Sequence, residues 1–236
     1  MPVSSLPLSG LLAGWLGACL DGRSHPEEML QSIGARTLHL VTGLDDEPVS
    51  LVLALGALRR RGATGAALAL PVPGDLVGLA GPPAFNVQAL EAGEAVLVTG
   101  AGVGLVPHLA HDVVAWHAAP AERPRPLDPQ EAGATLRTTR AEATNRLVAL
   151  DVARWKPEIA DALSNLHHRG PAPLPPHFAG SRASIIECAV LCREIVALAG
   201  QGDGAEVSAF EVDARRDALQ PLDRAARHAL VAACSG

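Results

Sequence analysis

The residues best placed to do chemistry are a glycine-rich run, a histidine group and a scatter of aspartates. Thr99-Gly100-Ala101-Gly102-Val103-Gly104 follows the apolar stretch 95–99. It half-fits two nucleotide fingerprints. G-x-G-x-x-G would need glycine at Leu105, and the Thr-Gly-x-x-x-Gly-x-Gly form would need it at Val106. A pyrophosphate site also needs a helix N-terminus after the glycines. Pro107 and the strand-like stretch Asp112–Trp116 leave no room for one, so a glycine-rich hairpin or bulge is the plainer reading. His108, His111, Asp112 and His117 crowd one stretch, and imidazole with carboxylate suits Zn²⁺ or Fe²⁺. Their spacing is not that of a helical zinc site, and residues three apart on a strand face opposite ways.

Several mechanisms are excluded outright. There is no Gly-x-Ser-x-Gly elbow and no Walker-type Gly-x-x-x-x-Gly-Lys. Tyr is absent, and Lys156 is the single lysine against 18 arginines. A Tyr/Lys reductase pair therefore cannot exist. Four cysteines are too few and too scattered for a disulfide framework. Cys188 and Cys192 share one face of an expected helix, where core-filling thiols are the bland interpretation; a metal pair would lack two ligands.

The elements that would position these groups can be read from punctuation and periodicity. Leu11–Leu20 is apolar and reads as a surface-packing helix, because no Lys or Arg precedes it as a signal peptide would require. Ser24–Glu27 opens a helix that Gly34 stops. Thr37–Val41 is a strand. Asp45-Asp46-Glu47-Pro48 opens the next helix, Arg59–Arg61 close it and Gly62 ends it. Ala66–Val72 is a second strand, so 37–72 is expected to be a right-handed strand–helix–strand unit with parallel strands. Pro83 begins a short helix, Ala95–Thr99 is a third strand, and Asp112–Ala118 a fourth in a β-meander. A Pro-rich linker follows. Beyond it, Asp128–Glu131, Ser184–Glu187 and Ser208–Glu211 are capping boxes, Pro157 starts a further helix, and Pro221 is expected to separate the last two helices.

The fold class expected is α+β: a small α/β half with a mainly parallel sheet over residues 1–120, a Pro-rich linker at 121–129, and an all-helical half over 130–236. The two halves are open to packing as one unit. Parallel strands would gather their carboxyl ends on one edge, where open α/β sheets bind ligands. That edge would carry Thr42, Asp45, Asp46, Asp75, Thr99, Gly100 and Gly102. The apolar Pro/Gly loop 71–86 would form one wall, with Asp75 and Asn86 as orienting polar groups. No cofactor is expected, although the three aspartates could hold Mg²⁺ or another hard cation.

Leu70-Pro71-Val72-Pro73-Gly74-Asp75, Phe85-Asn86 and Leu222-Asp223-Arg224-Ala225-Ala226-Arg227 resemble uncharacterised proteins of high-GC bacteria. The resemblance extends over most of the chain and implies no particular chemistry. A load of 43 alanines and the arginine excess fit high-GC coding. With 48% apolar residues the chain can bury a core, while a net charge of −6 argues against nucleic acid and anionic membranes as partners. Three function classes stay open: a cytoplasmic protein binding a small molecule or protein partner, a metal-assisted hydrolase or transferase using the strand-end carboxylates, and a homo-oligomeric structural module.

Overall fold

A computed structural model of the chain describes residues 6–34, 37–122, 124–149, 173–201 and 209–235. Two compact units emerge, and neither is continuous in sequence. One comprises Leu6–Leu127, Pro173–Ala183 and Val231–Gly236; the other comprises Met1–Ser5, Asp128–Ala172 and Ser184–Leu230.

The first unit is built on a six-stranded sheet. Its strands are β1 (Leu38–Thr42), β2 (Val49–Ser50), β3 (Gly65–Ala69), β4 (Ala95–Thr99), β5 (Val103–Ala110) and β6 (Val113–Pro120), in the order β2-β1-β6-β5-β4-β3. Only β1 and β6 pair in parallel; every other neighbour is antiparallel. This corrects the mainly parallel sheet expected above. The crossover in 37–72 is also overturned, since β1 and β3 lie far apart in the sheet and run in opposite directions. The physical reason is β5. Its residues continue a hairpin from β4 through the turn at Gly100–Gly102 and return through His111-Asp112 to β6. The parallel pairing is then made by β6, not β3. The hairpin reading of the glycine-rich run is correct.

Helices cover both sheet faces. The helix α1 (Leu8–Leu20) packs on β3 and β4, and Gly10 sits close to Leu68. It is not a surface helix: Leu12, Leu16 and Cys19 are fully buried. Its apolar residues surround the axis, as a buried helix requires. Trp15 donates its indole N–H to the Pro173 carbonyl at 2.8 Å. The helix α2 (Pro26–Gly34) follows, with Glu28 accepting from the His25 N–H. The helix α3 (Leu51–Arg60) starts later than the acidic run suggested, because Ser50 is its N-cap and accepts from Leu53. On the opposite sheet face, α4 (Pro83–Ala92) ends in a left-handed Gly93. Its Phe85 and Ala89 pack with Ala67, Ala95, Leu97 and Val106.

The second unit is helical in its described residues. Asp128 caps α5 (Pro129–Ala149) by accepting from Gln130 and Glu131, as the capping box predicted. The helix α6 (Ser181–Gln201) begins in the sheet unit and enters this one at Ser184. The helix α7 (Ala209–Cys234) runs unbroken through Pro221, so that proline does not separate two helices. Its apolar residues keep one buried face on both sides of the proline, at Ala218, Leu219, Leu222 and Ala226. Packing of that face overrides the local cost. Asp223 joins the buried Arg227 at 2.9 Å and Arg193 of α6 at 3.4 Å. The helix expected from Pro157 and the capping serine Ser208 lie outside the described residues. After Pro120 the described residues contain helices and a single 3-10 turn, Pro176–Phe178, but no strand. No described helix is long and apolar enough to cross a membrane.

Candidate functional site

The corrected topology redistributes the expected site. Strands β1, β4 and β6 end on one edge of the sheet, while β3 runs the other way. Thr42, Thr99, Gly100 and Gly102 therefore share an edge. Asp75, beyond the end of β3, lies at the opposite edge, in a tight turn closed by its backbone bonds with Val72. Even on the shared edge, β6 and β5 stand between β1 and β4. Three strand spacings of about 4.8 Å each separate Thr42 from Thr99. Asp45 and Asp46 are exposed in the bends after Thr42. The three aspartates thus do not meet, and among the described residues no group of three His, Cys, Asp or Glu could hold a metal ion.

The histidine group divides too. His117 and Thr42 are register partners, with Nδ1 and Oγ1 3.4 Å apart. His108 lies edge-on to His117 with ring centroids 6.4 Å apart, and His111 occupies the hairpin turn with φ 52°. Arg59 and Arg61 are engaged by backbone, donating to the carbonyls of Cys19 and Leu44.

Thr99, Gly100 and Gly102 do come together around a cavity of about 130 Å³ at the β4–β5 turn. Two chain segments line it, within 97–103 and at 121–122, and two more hydrogen-bond to them. The turn itself uses left-handed glycines, with φ 86° at Gly100 and 64° at Gly102. The loop after α3 packs against it: Thr64 donates its backbone N–H to the Thr99 carbonyl at 2.8 Å. A Cβ on Gly100 would lie 2.2 Å from the Gly62 carbonyl oxygen, so only glycine admits that approach. After β6, Ala121 donates to the Gly102 carbonyl at 3.0 Å, and Glu122 donates its N–H to the Gly81 carbonyl at 2.8 Å. The end of the 71–86 loop is thereby held beside the cavity.

The lining is apolar at Leu97, Val103 and Ala121, with Thr99 and Glu122 as residues carrying polar side chains. Glu122 was not legible as a site residue, because its place between Pro120 and Pro124 reads as linker. Neither Asp75 nor Asn86 lines the cavity. Asn86 sits in the first turn of α4, and its Oδ1 is buried without a hydrogen-bond partner. A carboxylate and a hydroxyl over an apolar floor can orient a ligand.

Fold and cavity define an α+β protein with a sheet unit that carries a small cleft at one strand edge. The chain belongs to the Rv1486c-like family: the N-terminal domain of Rv1486c-like proteins matches residues 9–132, and the C-terminal domain matches residues 130–231. Relatives include the proteins described as uncharacterized protein Rv1486c and uncharacterized protein MT1533, from two strains of Mycobacterium tuberculosis. Each is 36% identical over an alignment of 126 positions, and the match covers 42% of this chain and 43% of the relative. The matched span is thus less than half the length of these relatives. No solved structure matches the chain. The family bears out the resemblance to uncharacterised proteins of high-GC bacteria and assigns no activity.

Proposed function

We propose that this protein binds a small molecule bearing a compact cationic head, such as a primary ammonium, at the β4–β5 turn. The observation that carries it is the cavity of about 130 Å³ with Glu122 and Thr99 as its polar side chains. Drug-sized ligands fill about 300–1,000 Å³, so this space suits a head group of a few atoms. The Glu122 carboxylate would pair with the ammonium and the Thr99 hydroxyl would accept one of its protons. Leu97, Val103 and Ala121 would take the adjoining carbon chain. The metal-assisted hydrolase or transferase reading has less support, because Asp75 stands at the opposite edge from Asp45 and Asp46. A cytoplasmic setting belongs to the proposal, and the four free thiols speak for a reducing compartment.

The test is ligand-observed NMR with a set of small primary amines, each matched to its uncharged amide. The expected result is binding by amines over amides, lost in Glu122→Gln and weakened in Thr99→Val. Equal binding by amines and amides, or amine binding unchanged in Glu122→Gln, overturns the assignment. So does a lack of binding by every amine in the wild-type chain.

A further inference from the structure

The sheet carries a second constellation, separate from the cavity at the β4–β5 turn. Strand register puts Leu38, Leu40 and Thr42 of β1, Ala115 and His117 of β6, and His108 of β5 on one face. Leu38 and His108 are exposed there, and Leu40, Ala115 and His117 are half-buried. Strands β1, β2, β5 and β6 contain no Asp, Glu, Lys or Arg, so this face is apolar apart from a hydroxyl or two and the two imidazoles. His108 is the register partner of Ala115, two residues before His117, so the histidines are diagonal neighbours across the β5–β6 ladder. Their ring centroids lie 6.4 Å apart. His117 is held from its other neighbour, β1. Its Nδ1 is 3.4 Å from the Thr42 hydroxyl, and a Cβ on Gly43 would lie 3.3 Å from its Cε1. With the ring proton on Nδ1, the Thr42 oxygen accepts it and the Nε2 lone pair is left for a metal ion. An outer partner that fixes the tautomer in this way is the usual support of a metal-binding histidine.

We propose that His108 and His117 are half of a tetrahedral zinc site, completed by the same two side chains of a second copy of this chain. A structural zinc takes four ligands, and this face supplies two. A two-fold axis through the metal brings the other two, since an isologous interface sets the same patch against itself. A face without formal charges meets its own copy with no like charges opposed. Two imidazoles on one tetrahedral zinc have centroids about 5 Å apart, given Zn–N bonds of about 2.0–2.1 Å. The pair therefore needs to close by about 1 Å, which a side-chain rotation of the exposed His108 provides. Neutral nitrogen donors favour zinc over magnesium or calcium. The face also shows why the metal is needed. Three strand spacings by five residues give about 14 by 16 Å, roughly 230 Å² in plane. Even doubled for side-chain relief, that is below the about 800 Å² per partner of a stable interface. Two copies are thus held by the zinc bonds and seated by the apolar face. Thr42 is a positioning residue, acting on the metal through His117. His111, in the hairpin turn about 10 Å along from His108, takes no part.

Sedimentation and calorimetric titration of the full chain with zinc chloride test this. The chain should be a monomer without metal and a dimer with zinc, at one zinc per two chains, and magnesium chloride should produce no dimer. His108 is exposed, so His108→Ala keeps the fold, shown by an unchanged thermal melt without metal, and should abolish the zinc-induced dimer. His111→Ala should leave it intact. Thr42→Val should weaken zinc binding about tenfold, the usual loss when such an outer partner is removed. Leu38→Arg keeps both imidazoles but places a charge on the face, and should leave a monomer that binds zinc more weakly than the wild type. The proposal is overturned by a wild-type chain that binds no zinc, by one zinc per chain on a monomer, or by a dimer that forms without metal. A zinc-induced dimer that persists in His108→Ala, or that is lost in His111→Ala, overturns it as well.

Discussion

At Gly104 the sheet has no room for a side chain. A Cβ there would lie 2.2 Å from the Phe85 ring and 2.9 Å from the Ala121 methyl. Both belong to the cluster that seats α4, so Gly104→Ala should cost about 1–3 kcal/mol, measured by urea unfolding. Trimming the ring should relieve the clash. The double variant Gly104→Ala, Phe85→Leu is expected to lose less than the sum of the two single losses. A second residue-scale prediction concerns His39, buried against Trp116. Its Nδ1 accepts the Trp116 indole N–H at 3.2 Å, and its Nε2 is buried without a partner. Desolvation lowers its pKa from the ordinary 6.5. The native state then binds fewer protons than the unfolded chain below about pH 6.5. Stability is therefore full above that value and falls as pH drops towards the lowered native one. In His39→Asn, which keeps an acceptor for Trp116, the slope of Tm against pH should flatten. His177 should leave a slope of the same sign, because burial first and then Arg23 and Arg182 lower it. Thr37–Val41 was legible as a strand, but the pairing of His39 with Trp116 spans 77 residues and leaves no local mark. The same holds for Glu122, brought to the cavity from beyond β6.

Among the elements, α7 carries the clearest unfavourable feature. Pro221 removes one hydrogen bond and crowds the carbonyl four residues back, a cost of about 3 kcal/mol in a helix interior. The proline is exposed while Leu219 and Leu222 on either side are buried. Pro221→Ala should accordingly raise stability by about 1–3 kcal/mol, read as a higher midpoint in guanidinium with unchanged helical circular dichroism. Element types were largely legible where punctuation was strong: α2, α4, α5, β1 and β4 follow from Pro, Gly and capping signals. Direction was not. A strand's residues record which faces are covered, and β3 is buried at every position whether its neighbour runs parallel or antiparallel. Residues 105–111 were assigned to no element, and they hold most of the strand that reverses the chain. The carboxylates were then assigned to a single edge that does not exist. Thr99, Gly100 and Gly102 stay together because all three belong to one hairpin turn.

At the scale of the molecule, the sheet unit is completed by segments from far along the chain. The Pro173 carbonyl takes the Trp15 indole proton, and Phe178 packs against Gly14. Ser235 accepts the backbone N–H of Leu68 in β3 at 3.1 Å while donating to the Val231 carbonyl. An excised fragment 6–127 would expose the faces of α1 and β3 that these residues contact. It should melt well below the full chain by calorimetry and bind a hydrophobic dye, whereas a fragment as stable as the full chain would show the late segments to be dispensable. The Ser235 bond has a further consequence during synthesis. Residues 6–127 leave the ribosome about a hundred residues before Ser235, which at roughly 5–20 residues per second is a wait of about 5–20 s. Throughout that interval β3 is an edge strand whose Leu68 N–H lacks this acceptor. Such an edge can pair with another chain, so that interval is when pairing at β3 is least guarded.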